Sequence, residues 1–495
     1  MRLMRLRTRL FWWALSFQLA AAPVVLAQPA AELVIRGGRV IDPESGLDGL
    51  RNIGIVDGRI VTMTTEEISG TEIVDASGLV VAPGFIDLHA HGQDPVSRTL
   101  QLQDGVTTAL ELEIGVYPVA EWLNEQEGSS PIHYGASVGH LGARLMLFHK
   151  AAIGSWATLS PDRTDLIEFS DFEQKDTTPT ERGRLLELMG KGLDEGGLGF
   201  GLGITYTPGA SRSEIFEIFQ TAATNRVPLF VHVRGRGSGG TLGAFQECLA
   251  NAAATGASLH FVHLNSSGGE LAPTVLTLIR GARGRGVDVT TEAYPYTAGS
   301  TRIESASFDN WESRPDSYFE RVQWPATGER LTRESFGRYR EEGGWVITHG
   351  RREETNRWIV AQPDVMVASD GIPFLYGPAH PRGAGTFSRV LGHYVRDESA
   401  LSLMAALAKM TILPARRLEA IAPAMRNKGR VRVGADADLT IFDPARILDA
   451  SSFEKGDVPS KGIQHVFVSG VHMVRDGSAN LSIFPGKPIL HRPQE

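Results

Sequence analysis

Apolar positions along this chain gather into short runs, each followed by a loop and then a stretch of helical periodicity. Eight such runs stand out: 84–90 (GFIDLHA), 106–113 (VTTALELE), 132–139 (IHYGASVG), 198–204 (LGFGLGI), 228–233 (PLFVHV), 258–263 (SLHFVH), 287–293 (VDVTTEA) and 365–370 (VMVASD). Between them lie helical patterns such as 180–194 and 211–225. Alternation of strand and helix predicts an α/β fold with a parallel sheet, and eight units predict a closed (β/α)8 barrel of the TIM type over 83–424. Both ends read differently. Residues 32–80 and 429–475 are short strands separated by turns, so the segments 28–82 and 425–495 are expected to pair into a small β-sandwich domain. Residues 302–350 are polar and rich in aromatics, and they break the rhythm after the seventh strand, as an inserted lid would.

The first 27 residues belong to neither pattern. Arg2, Arg5, Arg7 and Arg9 precede an apolar stretch from Leu10 to Leu26, and Val25 and Ala27 are the small residues wanted before a cleavage site. Gln18 and Pro23 interrupt the stretch, so it reads as a cleaved signal peptide rather than a membrane anchor. A secreted or periplasmic protein without stable membrane insertion is the expectation. The single cysteine, Cys248, sits in a helical pattern, FQECLANAAA, and reads as a buried structural thiol; a disulfide within the chain is excluded.

Composition adds bounds. A chain of 495 residues with 42% hydrophobic and 21% charged residues supports a large core. A net charge of -8 without an internal basic run gives nucleic acid no footing as a partner. A small-molecule substrate is expected, and a homo-oligomer is compatible with everything above.

Chemistry enters at the strand ends. PGFIDLHAH places His89 and His91 two residues apart at the close of an apolar strand, so period-two geometry turns both imidazoles to one face. At the mouth of a first barrel strand that face is where such barrels work. Two neutral imidazoles suit a divalent ion such as Zn²⁺. His232 and His263 end the fifth and sixth runs, and Asp370 ends the eighth, positioned to accept a proton from an attacking water. Glu111 and Glu113 in TALELEIG share a face; two carboxylates inside a barrel need a cation, and Glu113, nearer the mouth, is the candidate bridge between two metals. His140, His349 and His393 occupy places from which they could line the pocket.

These residues resemble the amidohydrolase superfamily and, within it, the N-acyl-D-amino-acid deacylases (D-aminoacylases). PGFIDLHAH and GVTT are shared widely in the superfamily; YPYTA at 294–298, Ser369-Asp370-Gly371, HPR at 380–382 with GTFSRVLGHYVR, and KMTILPARRL followed by KGRVRVGADADLTIFD are more specific. The resemblance spans nearly the whole mature chain. It implies a barrel with a small β-sandwich, zinc held by His89, His91, His232, His263 and Asp370, and hydrolysis of N-acyl-D-amino acids, with Tyr296 helping to bind and polarise the substrate.

Two positions depart from the family pattern. Where relatives carry a cysteine ligand at the second strand, this chain has no cysteine and offers Glu113, which favours two ions over one. The family lysine that helps hold the substrate carboxylate is Asn265 here, and Arg234, Arg302 or Arg382 is expected to supply the charge through a bidentate fork. The resulting expectation is a metal-dependent deacylase in which Asp370 moves the proton from water to the leaving nitrogen. A cyclic-amide or D-dipeptide hydrolase is the alternative, and a binding protein on an inactive barrel is a third reading.

Overall fold

The structure is a computed structural model that describes residues 31–155, 171–235, 240–375 and 377–492. The expected signal peptide, 1–27, lies outside them. Eight parallel strands follow one another around a barrel: β6 (Phe85–Asp87), β7 (Val106–Tyr117), β8 (His133–Gly139), β10 (Phe200–Gly203), β11 (Pro228–His232), β12 (Ser258–Phe261), β13 (Val289–Ala293) and β17 (Val365–Val367). Each sits within or across one of the eight apolar runs. The first and last strands meet through a parallel bridge between Ala90 and Gly371, reinforced by Gly92 N–H donating to the Gly371 carbonyl at 2.9 Å. Every residue of β7 is buried, as a strand packed on side chains inside and helices outside must be.

β7 outruns its predicted end at 113. Its ladder with β8 shifts register between Glu111 and Val116, with Gly115 at φ +66°, and a short strand β9 (Gly154–Ser155) pairs antiparallel with its last two residues. This bulge lifts 112–115 off the regular ladder and delivers Glu113 to the mouth of the barrel.

The two ends of the chain form one nine-stranded sheet. β1 (Ala31–Asp42), β2 (Leu47–Val56), β3 (Arg59–Thr64), β4 (Gly70–Asp75) and β5 (Val80–Pro83) come from the N-terminal side. β18 (Leu439–Phe442), β19 (Ile463–Val468), β20 (Val471–Arg475) and β21 (Ser478–Ala479) come from the C-terminal side. Antiparallel pairing of β5 with β18, from Val80–Phe442 to Pro83–Leu439, joins them. Ile35, Ile53, Val81, Leu439, Ile441 and Phe467 share the core of this domain. Buried Asp438 fastens it to the barrel, accepting from Lys428 Nζ at 2.6 Å and bonding His133 Nε2 at 3.1 Å.

The insertion is a small antiparallel sheet of β14 (Gly299–Arg302), β15 (Val322–Gln323) and β16 (Trp345–Thr348) with its own core of Ile303, Phe308, Phe319, Phe336 and Val346. The first strand begins at Gly299, ahead of the expected 302, so Gly299 and Arg302 belong to the insertion's sheet rather than to a loop. No helix among the described residues is long and apolar enough to cross a membrane.

Candidate metal centre

Five strand ends converge on one point above β6, β7, β11, β12 and β17. Glu113 is at its centre. One carboxylate oxygen, Oε2, lies 2.8 Å from His89 Nε2 and 3.0 Å from His91 Nε2. The other, Oε1, lies 2.6 Å from His232 Nδ1 and 3.5 Å from His263 Nε2. Asp370 Oδ1 stands 3.4 Å from the Nε2 atoms of both His89 and His91. Two groups of donors result, each with its atoms within 4.8 Å of one another: His89, His91, Glu113 and Asp370, and Glu113, His232 and His263. Glu113 belongs to both.

Hydrogen bonds on the far side of the rings decide what this centre suits. His89 Nδ1 is 2.6 Å from Glu292 Oε1, and His91 Nδ1 is 2.9 Å from Glu111 Oε2. A carboxylate accepts, so each Nδ1 carries the proton and each Nε2 is left with a lone pair. Those two Nε2 atoms face each other at 3.1 Å, with carboxylate oxygens beside them. Lone pairs and anions packed this closely repel unless a cation lies among them, so the donor set fits one divalent ion at each group.

Electrostatics agree with the geometry. Burial alone would lower the pKa of His89, but Asp370, Glu292 and Glu113 outweigh it and raise it well above the ordinary value. Burial likewise works against His91, and Glu111 and Asp370 raise it. Burial pushes Glu113 and Asp370 up, yet His89 and His232 hold the first, and Arg382 and His89 the second, well below the usual carboxylate range. The field of the site calls for positive charge. His263 at φ +33° and Asp370 at φ +52° both sit in the left-handed region, a backbone cost of order 1–3 kcal/mol each that the surrounding barrel must sustain.

A cavity of about 110 Å³ opens onto His91, Glu113, His232, His263 and Asp370. Tyr206, Ser266, Gly299, Thr301, Trp345 and Arg351 are among the other residues of its wall. Tyr206 packs edge-on to His232 with centroids 5.2 Å apart, and burial and Glu113 raise its pKa so that its hydroxyl stays protonated.

Not all the residues singled out in the sequence arrive here. Asn265 does not reach the cavity: its amide donates to the Tyr294 carbonyl at 2.9 Å and to Asn356 Oδ1 at 3.0 Å. Arg234 turns outward to Glu247 at 3.0 Å, and Arg302 pairs with Glu304 within the insertion. Arg382 is buried beside the centre with its Nη1 2.8 Å from Asp370 Oδ2 in an ion pair, and its three guanidinium nitrogens have no hydrogen-bond partner among the described residues. Tyr296 is also displaced from its expected role. Its hydroxyl donates to Asp449 Oδ2 at 3.3 Å, beside the helix 382–389, and the chain has already left β13 at Ala293, so strand alternation no longer sets its direction. His140 bonds Glu214 at 2.7 Å, His349 bonds Gln323 at 2.8 Å, and His393 lies 3.4 Å from Glu398; none lines the cavity.

Conversely, Glu292, Tyr206 and Arg351 escaped sequence reasoning. Glu292 had a visible signal, a lone carboxylate in the apolar strand VTTEA. Tyr206 and Arg351 lie beyond strand ends, where no periodicity marks direction.

Comparison with known proteins follows the geometry. The model of the amidohydrolase family matches residues 339–474. An N-acyl-D-glutamate deacylase of Alcaligenes xylosoxydans xylosoxydans is 30% identical, over 94% of this chain and 96% of that protein. The solved N-acyl-D-glutamate deacylase of Bordetella bronchiseptica, complexed with zinc and a phosphonate mimic of the tetrahedral intermediate, has a TM-score of 0.76 at 25% identity, covering 93% of this chain and 100% of its own. A D-aminoacylase structure described for its binuclear metal centre, with one-metal activation and second-metal attenuation, matches to the same TM-score of 0.76 and 25% identity over 93% and 100%.

Proposed function

This chain belongs to the amidohydrolase superfamily and, within it, to the N-acyl-D-amino-acid deacylases, and from that premise we propose that it cleaves the amide bond of N-acyl-D-amino acids with two zinc ions, which His89, His91, Glu113, His232, His263 and Asp370 would hold. The observation that carries this reading is the division of the Glu113 carboxylate between two pairs of imidazoles. His89, His91, Asp370 and Glu113 Oε2 would hold one ion, and His232, His263 and Glu113 Oε1 the other. Zinc and a binuclear centre also occur in the solved relatives. When bound, such ions supply Lewis acidity that polarises a carbonyl and makes water nucleophilic near neutral pH.

The protein's own residues do the rest. Arg382 grips one oxygen of Asp370 at 2.8 Å and so keeps the other, Oδ1, turned toward the imidazoles. Asp370 accepts the proton of the attacking water. Water oxygen bonds to the acyl carbon, the C–N bond breaks, and the proton passes from Asp370 to the departing nitrogen, giving a carboxylic acid and a free amino acid. Tyr206, protonated and beside His232, donates a hydrogen bond to the acyl oxygen as charge develops there.

Metal-replete protein assayed on N-acyl-D-amino acids, N-acyl-L-amino acids, hydantoins and D-containing dipeptides tests this. Turnover confined to the first class, lost on chelation and restored by Zn²⁺, is the expected result. Less than one equivalent of bound metal with no recovery on adding it would refute the reading. Export follows from the sequence alone: residues 1–27 act as a cleaved signal, so the mature protein should begin at Gln28, and an intact Met1 on the mature protein would contradict this.

A further inference from the structure

Away from the barrel mouth, the nine-stranded sheet holds another pair of facing imidazoles. β19 and β20 form an antiparallel hairpin in which His465 lies opposite Arg475 and Val466 opposite Val474. The register then slips: Phe467 lies opposite His472, and Met473 is the extra residue. Side chains alternate with period two, so without the slip His472 would share the face of Val474 and point away from His465. One extra residue turns it to the face of His465 and Phe467. His465 Nδ1 thereby stands 3.2 Å from His472 Nε2, with ring centroids 5.1 Å apart.

The outer nitrogens of the two rings face carboxylates. His472 Nδ1 is 3.5 Å from Glu72 Oε1 on β4, and His465 Nε2 is 3.9 Å from Asp476 Oδ1. A carboxylate draws the imidazole proton to the nitrogen beside it, which leaves a lone pair on each inner nitrogen. Burial holds both rings below the ordinary histidine value: Arg475 adds to it at His472, bringing that ring to about 4, and Asp476 only partly offsets it at His465. Both are therefore neutral near neutral pH, as metal ligands must be. Their spacing also fits, because two nitrogens each about 2.0–2.1 Å from a tetrahedral ion stand about 3.3 Å apart. The imidazole side chains are 9% and 7% exposed, whereas Glu72 beside them is 45% exposed and held on the solvent side by Arg475 at 2.6 Å, a surface pair of little worth.

We infer that His465 and His472 form a further divalent-cation site, separate from the catalytic centre, for an ion that suits imidazole such as Zn²⁺, with Glu72 as the third ligand. The inference does not rest on the proposed deacylase function. An ion there ties the C-terminal hairpin β19–β20 to β4 from the N-terminal side, and so fastens together the two ends of the chain that build the small domain.

The test is calorimetric titration with Zn²⁺ of full-length protein whose catalytic centre is already saturated with Zn²⁺. Wild type should take up one further equivalent and gain Tm as the ion concentration rises. His472→Gln should lose both, while the centre keeps its own metal. Glu72→Gln, which leaves the two imidazoles in place, should weaken the added uptake at least about tenfold. Arg475→Gln frees Glu72 and removes a nearby cation, so it should tighten the uptake by up to about fivefold, which a purely structural hairpin would not show. No uptake beyond the centre in wild type, or equal uptake in wild type and His472→Gln, would overturn the inference and leave the two rings joined by an ordinary hydrogen bond. If His472→Gln lowers Tm even in excess chelator, Glu72→Gln decides, and unchanged uptake in that variant overturns the inference.

Discussion

Replacing Glu292 with glutamine should loosen metal binding while leaving the barrel folded. Glu292 points inward from β13, is 1% exposed, and accepts hydrogen bonds from His89 Nδ1 at 2.6 Å and His260 Nε2 at 3.2 Å. Burial pushes its pKa up, but His89 and His260 hold it at about 2, so it is charged at any working pH. A carboxylate on the back of an imidazole fixes the ring and makes its other nitrogen a better donor to a cation, and losing such a partner costs about 10- to 100-fold in metal affinity. Glutamine keeps an oxygen within reach of His89 and loses only the charge, which places Glu292→Gln near the tenfold end. Alanine leaves His89 and His260 unpaired, each at roughly 1–3 kcal/mol, so Glu292→Ala should approach a hundredfold loss and also lower Tm. The assay is competition between apo-protein and a zinc chelator of known affinity, with Tm measured in excess chelator as the control for folding. Unchanged affinity in Glu292→Gln, or affinity loss only in step with loss of Tm, would refute the idea that Glu292 acts through His89.

Asp370→Asn should cost at least about two orders of magnitude in kcat if Asp370 moves the proton; a near-normal rate would reject that role. Glu113→Gln removes the charge both donor groups share, so metal content by mass spectrometry should fall from two equivalents toward one. Glu214 links His140 and Arg144 in the core, and although burial raises its pKa these partners bring it down to about 2. A depressed pKa means that its stabilisation is complete above the ordinary glutamate range, near pH 4.3, and drains away as pH falls toward 2. Glu214→Gln should therefore flatten the decline of Tm in that window.

The sequence by itself determined the barrel and most of the centre, because both follow from local pattern. Period-two alternation ending in His-x-His orients His89 and His91, and an apolar run ending in a polar residue marks His232, His263 and Asp370 as strand ends, where a parallel barrel gathers its chemistry. Glu113 was legible as a carboxylate in an apolar strand, though not the bulge that lifts it between two histidine pairs. What only the tertiary structure decided was partnership. Glu292 stands 203 residues from His89, and no local pattern ties them. Arg234, Arg302 and Arg382 looked equivalent as charges; the first pairs with Glu247, the second with Glu304 and the third with Asp370, and that difference depends on how the chain packs. Tyr296 and Asn265 lie past strand ends, where backbone turns rather than alternation set direction, and each was claimed by a distant partner, Asp449 or Asn356, before it could face the substrate. Strand ends obey short-range periodicity, whereas the pairing of charges is settled by long-range packing.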